Sequence, residues 1–250
     1  MDALAESLFE CSGDAAVPDV GTRALDHRAA AGDHVAMAMQ PAHGSARAGR
    51  RRVVQRVSEA LGRARAQIAI VAVASIFPLV AGGALATSGN GFALNERDRI
   101  VGAAKGSEIN AAYRQSDRAR AALLDFVGNV EAALVTSVTG LAIVGPVPIA
   151  AYRGWVGGLV SVDAQHASRM SQPGPAFYYL ATVTLQLVPY ILTGGAGMYL
   201  GLVAWRRRDD ASVRSRLTLR IPDASVRDVG WIWALALPIF LAGSLFEFLS

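Results

Sequence analysis

Apolar residues gather in four long blocks, Gln67–Ser88, Ala121–Asp163, Pro175–Trp205 and Val229–Leu249, separated by polar stretches. A helix crossing the hydrocarbon core of a bilayer needs roughly 20 mostly apolar residues. Ala121–Asp163 is about twice that length and carries Gly145-Pro146-Val147-Pro148 near its middle. Two prolines there disfavour an uninterrupted helix, so this block reads as two spans joined by a tight turn. The blocks lack the two-residue alternation of a barrel strand, and only helices or closed barrels satisfy the backbone in lipid. The pattern therefore predicts an all-α, polytopic helical membrane bundle. Its five transmembrane helices are expected at about 67–88, 121–143, 146–163, 175–205 and 229–249.

The polar stretches differ among themselves. Met1–Gly49 has no sustained period and is expected to be a disordered arm. Met1–Glu10 carries acids and no basic segment, so the first apolar block is expected to be a retained span, not a cleaved leader. In Arg50–Ala66, Val53, Val54, Val57, Ala60 and Leu61 recur at helical spacing while arginines face elsewhere. This is either a basic amphipathic helix on the membrane surface or a plain extension of the first span. Gly89–Arg120 mixes charges around a weak apolar stripe and predicts one or two short helices resting on the bundle. Ala164–Gly174 reads as a short polar loop and Arg206–Asp228 as a basic one.

Charge then sets orientation. Arg47, Arg50, Arg51, Arg52, Arg56, Arg63 and Arg65 precede the first span, and Arg206, Arg207, Arg208, Arg214, Arg216, Arg220 and Arg227 precede the last. Positively charged loops stay in the cytoplasm, so an even number of spans must separate these segments. Treating Ala121–Asp163 as a hairpin gives that parity. It places the N-terminus inside and the C-terminus outside a bacterial cytoplasmic membrane.

Composition changes this picture little. The chain has 250 residues, 52% of them hydrophobic, with a formal net charge of +4 and Lys105 as its sole lysine. The arginines flank spans, so topology explains them and nucleic acid is not an expected partner. Cys11 is the single cysteine, and no histidine falls in an HExxH spacing, so no disulfide, metal or other cofactor is expected. Walker A, GxSxG and dinucleotide-binding patterns are missing as well, and an enzyme is not the expected reading.

Polar residues inside spans are candidates for function. These are Glu131, Arg153 and Glu247, joined by the uncharged Asn129 and Gln186. They would either line a polar conduit or satisfy one another and the backbone. Arg153 lies near enough to the expected turn to snorkel toward the cytoplasm. Gly154 with Gly158, and Gly197 with Gly201, form GxxxG motifs that let helices approach closely, within the chain or between chains. Pro146 and Pro148 mark the hairpin turn. Pro189, Gly194 and Gly195 interrupt the fourth span, giving either a kinked helix or a broken one that lines a binding site.

Several of these elements, taken in order, resemble the stage II sporulation protein M family of bacterial multi-pass membrane proteins. The matching stretches are Phe126-Val127-Gly128-Asn129, then Tyr152-Arg153-Gly154-Trp155-Val156-Gly157-Gly158 with Arg153 where asparagine is usual. Val188–Gly201 resembles the family's Pro- and Gly-rich helix, and Leu241–Phe248 its alanine-rich last span ending in glutamate, here Glu247. The family's His-Gly and Glu ahead of the Pro-Gly helix are replaced by Leu185-Gln186-Leu187-Val188. The resemblance covers roughly residues 121–249. It implies a non-enzymatic scaffold or subunit of a membrane complex, since the sporulation member helps recruit cell-wall hydrolases. The expected partners are the lipid bilayer and other membrane proteins or a second copy. The alternative is a small-solute or ion transporter using Glu131, Arg153, Glu247 and the broken span.

Overall fold

The computed structural model describes residues 43–208 and 221–249. The expected disordered arm falls outside them as far as residue 42, as do Cys11 and residues 209–220. Seven α-helices account for nearly all of the described chain: α1 His43–Thr87, α2 Gly91–Ala104, α3 Glu108–Arg114, α4 Arg118–Thr139, α5 Pro146–Leu159, α6 Pro173–Arg208 and α7 Asp223–Leu249. Four of these, α1, α4, α6 and α7, are long and apolar enough to cross a membrane.

Which residues meet fixes the direction of each helix. Ser75 of α1 faces Gly154 of α5, and Leu79 faces Gly158, so α1 and α5 run parallel. Ser137 of α4 and Gly140 just beyond its end face Gly197 and Gly201 of α6, so α4 and α6 also run parallel. Asp125 of α4 reaches Ser244 of α7, whereas Ala133 packs near Phe240, so α4 and α7 are antiparallel. Gln186 meets Glu247 and Tyr199 meets Asp228, which makes α6 and α7 antiparallel too. The five helices α1, α4, α5, α6 and α7 thus alternate in direction. One end of the bundle gathers Arg63, the α4–α5 turn, Trp205 and Asp228; we call this the basic end.

Small residues at the contacts decide how close the helices come. A β-carbon on Gly154 would overlap the Ser75 carbonyl, and one on Gly158 the Leu79 carbonyl. Gly197 lies against the Ser137 backbone and Gly201 against the Gly140 carbonyl. Both GxxxG pairs are therefore used inside the chain, each seating one parallel partner.

The hairpin turn differs from the expected Gly145–Pro148. α4 ends at Thr139 and passes through a 3-10 turn, Gly140–Ala142. Ile143 then has φ 65° and ψ −53°, and the Val144 N–H donates to the Ala142 carbonyl at 2.8 Å. This is the γ-turn geometry that β-branched residues rarely adopt. Pro146 stands inside α5 at its start, where its fixed φ and missing N–H favour helix initiation.

α5 is shorter than the expected 146–163. Its 14 residues give about 21 Å, against about 30 Å for a hydrocarbon core. The chain turns because Asp163 Oδ1 accepts from the N–H groups of Gln165 and Ala167, while a bridge pairs Val162 with Ser168. Such carboxylate-to-backbone bonds compete with helix continuation.

α6 is the other correction, for Pro189, Gly194 and Gly195 do not break it. Thr193 Oγ donates to the Pro189 carbonyl at 2.8 Å, and the helix runs on through the proline. Gly195 is held against the Ile68 backbone of α1, and Gly194 lies beside Val71 and Thr136. The glycines serve close packing, not unwinding. α1 is likewise one helix from His43, so Arg50–Ala66 continues directly into the first span. The stretch 89–120 forms the two short helices α2 and α3, capped by Asn90 and Ser107.

Candidate functional site

A chain of buried polar groups links α4, α5, α6 and α7 toward the end opposite the basic one. Asp125, 3% exposed, accepts a hydrogen bond from Asn129 Nδ2 at 2.9 Å and one from Ser244 Oγ at 2.6 Å. Tyr190 OH donates to Asn129 Oδ1 at 2.7 Å. The Arg153 guanidinium lies over the Tyr190 ring, 3.5 Å from its centroid, and Phe240 meets that ring edge-on at 4.9 Å. One helical turn beyond Ser244, Glu247 is 2% exposed and accepts from Gln186 Nε2. Tyr178 OH caps this layer by donating to the Glu247 carbonyl at 3.0 Å.

The helical repeat explains the assembly. Asp125 and Asn129 are four residues apart on α4, Gln186 and Tyr190 four apart on α6, and Ser244 and Glu247 three apart on α7. Each pair presents one face. The three faces converge where α4, α6 and α7 meet.

Of the residues expected from sequence, Asn129, Gln186, Arg153 and Glu247 join this network. Glu131 does not: two positions beyond Asn129 it is exposed on the opposite side of α4. Arg153 neither pairs with Glu131 nor snorkels toward the turn. Its cation is accommodated by the π-face of Tyr190, an electrostatic attraction that strengthens when desolvated. Asp125 was missed, although its i, i+4 spacing from Asn129 was readable. It stands only two turns into the span, where an acid reads as an interfacial residue.

A second polar group caps the far end, outside the long helices. Arg97 is 3% exposed and donates to Asp98 at 2.6 Å, while His166 Nε2 lies 3.1 Å from the same carboxylate. Arg169 is buried nearby and donates from Nε to the Val160 carbonyl at 3.1 Å. Burial alone would push Asp98 up; the bonds from Arg97 and His166 outweigh it and hold the carboxyl below its ordinary range. Burial, reinforced by the charge of Arg97, draws the Arg169 guanidinium below its usual value.

A carboxyl depressed on folding stabilises above its unfolded range and loses that contribution as pH falls through the folded value. Asp98→Asn is therefore expected to lower stability at neutral pH, with the difference from wild type vanishing in acid. Because Asp98 is 49% exposed, solvent screening keeps the effect under about 1 kcal/mol. Thermal unfolding followed between neutral and acidic pH checks this. A difference that persists unchanged in acid would remove the electrostatic explanation.

At the basic end, Arg63 forms a two-pronged pair with Asp228, at 2.7 and 2.6 Å, and Tyr199 OH donates to Asp228 at 3.3 Å. Arg56 lies over Trp231. These contacts tie α1 to the start of α7 where the helices leave the bundle.

Among the described residues, no three or more histidine, cysteine or acidic side chains gather as a metal site. No family model matches the chain, and no curated protein or solved structure is significantly similar to it.

Proposed function

We propose that this protein is a non-enzymatic component of the bacterial cytoplasmic membrane, acting as a scaffold or subunit of a larger membrane assembly. The resemblance to the stage II sporulation protein M family suggests the same role. The observation that carries the reading is the length of α1. Its 45 residues make a helix of about 68 Å, more than twice a hydrocarbon core. Residues 51–56 are exposed at the basic end, with Val53 and Val54 uncovered between Arg51, Arg52 and Arg56. A rigid extension bearing both charge and apolar surface suits attachment to another protein. The glycine contacts between spans are already spent inside the chain.

The test combines topology with partner capture. In a Cys11→Ser background, single cysteines at Ser107 and Ser171 are expected to label from outside, and one at Val147 only after permeabilisation. A photo-crosslinker at Val54 is then expected to give discrete protein adducts in cells. Adducts to lipid alone, with a lone monomer in mild detergent, would count against the assembly role.

Transport is the second reading, favoured by one observation: Asp125 and Glu247 are buried acids on facing helices. If Glu247→Gln alters solute flux while leaving protein abundance unchanged, transport displaces the scaffold reading. A change in abundance without any in flux makes the network structural.

A further inference from the structure

Glu131 stands on the exposed side of α4, with no hydrogen-bond or ion-pair partner among the described residues. It lies about 16 Å along the helix from Arg120 and about 12 Å from Thr139, near the midplane of a hydrocarbon core of about 30 Å. An ionisable side chain at that depth is expensive against lipid unless it is paired or faces a bundle interior. We propose that a second copy of this chain docks along α4, the two helices running parallel and each Glu131 meeting the other. The inference rests on the membrane placement above and names one partner for the assembly; it needs no contact at the α1 extension.

Three features fit a second copy. The first is spacing. Val127, Glu131, Leu134 and Val138 follow at steps of 4, 3 and 4 and are all exposed, while the half-buried Leu124 and Leu141 continue the steps at either end. Alternating steps of three and four make the seam of a left-handed helix pair, the usual crossing in membranes. The second is residue type. Leu134 and Leu141 alternate with Val138, the arrangement that favours two strands in parallel coiled coils, where a single polar residue in the seam fixes the register. Glu131 is that residue here.

The third is symmetry. Copies inserted with the same topology carry each residue at the same depth, so a twofold axis along the membrane normal sets identical faces against each other. A carboxyl group in its acid form both donates and accepts, so two of them satisfy each other. Asp125, the other acid within this span, is already bonded to Asn129 and Ser244 inside the bundle. Glu131 is left to face outward.

Seam cysteines test the contact in the full chain. In the Cys11→Ser background, Val127→Cys and Val138→Cys are treated with copper phenanthroline in cell membranes. Each is expected to give a disulfide-linked species of twice the chain mass, and Val73→Cys, exposed on α1, none. Energy transfer between labelled copies, diluted in detergent micelles, then gives the dimer affinity. Glu131→Leu is expected to weaken it about tenfold, the loss of one interhelical polar contact. Glu131→Gln also donates and accepts, so it should stay within about twofold of wild type. Melting of the dilute monomer should be the same in all three.

No dimer from either seam cysteine would overturn the proposal, as would equal yields from Val73→Cys or cross-links to a different protein. A Glu131→Gln variant as weak as Glu131→Leu would put a cation opposite Glu131 and overturn self-pairing. Discrete adducts at Val54 beside a monomeric α4 would remove this partner and leave the assembly role standing. Loss of the protein from the membrane fraction would overturn the membrane placement and the dimer with it.

Discussion

Gly154→Leu is expected to lower the melting temperature of the detergent-solubilised protein by roughly 6–12 °C, equivalent to about 3 kcal/mol for a chain of this size. Overpacking is mild where the neighbour is the tip of a flexible side chain. Here the neighbour is backbone: a β-carbon on Gly154 overlaps the Ser75 carbonyl, and its Cα is also within reach. Ser75 cannot swing aside, because its hydroxyl is bonded to the Val71 carbonyl and the residue is buried. The remaining response is to separate α1 from α5, which opens the contact along Leu79–Gly158 and Gly82–Trp155 as well. Gly128→Leu is the matched control, since nothing lies within 4 Å of the β-carbon it would add. Equal melting of the two variants would mean that the α1–α5 contact does not hold the bundle together.

Asp125→Ala is expected to destabilise by about 2 kcal/mol, the second largest effect. The substitution removes the acceptor for two buried donors, Asn129 Nδ2 and Ser244 Oγ. A buried donor left unsatisfied costs about 1–3 kcal/mol. Interhelical bonds in membranes average only about 0.6 kcal/mol because the unfolded helices find other partners, which keeps the sum at the lower end. Asp125→Asn retains an acceptor oxygen and should recover most of the loss. A double-mutant cycle with Ser244→Ala isolates the α4–α7 bond, with a coupling of about 0.6–1.7 kcal/mol expected. Unfolding in mixed micelles gives these numbers. A coupling of zero would mean that Ser244 and Asp125 do not share a proton bridge in the folded protein.

How much of this was readable in the chain depends on the range of each signal. Long apolar runs and the 3.6-residue repeat are local, so the long helices and the Gly154–Gly158 and Gly197–Gly201 faces are legible directly. Their partners are not, since Ser75, Leu79 and Ser137 carry no mark distinguishing them from other small or apolar residues in a span. The arginine parity implied a hairpin within Ala121–Asp163, and the α4–α5 turn lies at the same end as Arg63 and Arg227. The turn itself falls at Ile143 because Pro146 starts a helix better than it ends one. Pro189 looked like a break because sequence shows the missing N–H but not the packing of Gly194 and Gly195 against α1 and α4 along one continuous helix. In the polar network, Asn129, Gln186, Arg153 and Glu247 were visible as polar residues in apolar surroundings. That Asn129 and Ser244 meet Asp125, Gln186 meets Glu247 and Arg153 covers Tyr190 was not, because it depends on how four helices are turned toward one another.

The parallel pairing of α1 with α5 sets a timetable for biogenesis. Ser75 and Gly154 are 79 positions apart, so at about 5–20 residues per second the first helix waits roughly 4–16 s for its partner to be synthesised. α5, with 14 residues, follows α4 directly through the turn at Ile143. Throughout that interval the face of α1 around Ser75, Leu79 and Gly83 is open to lipid and to any other small-residue helix. Closure of that surface by α5 comes before α6 and α7 have been made.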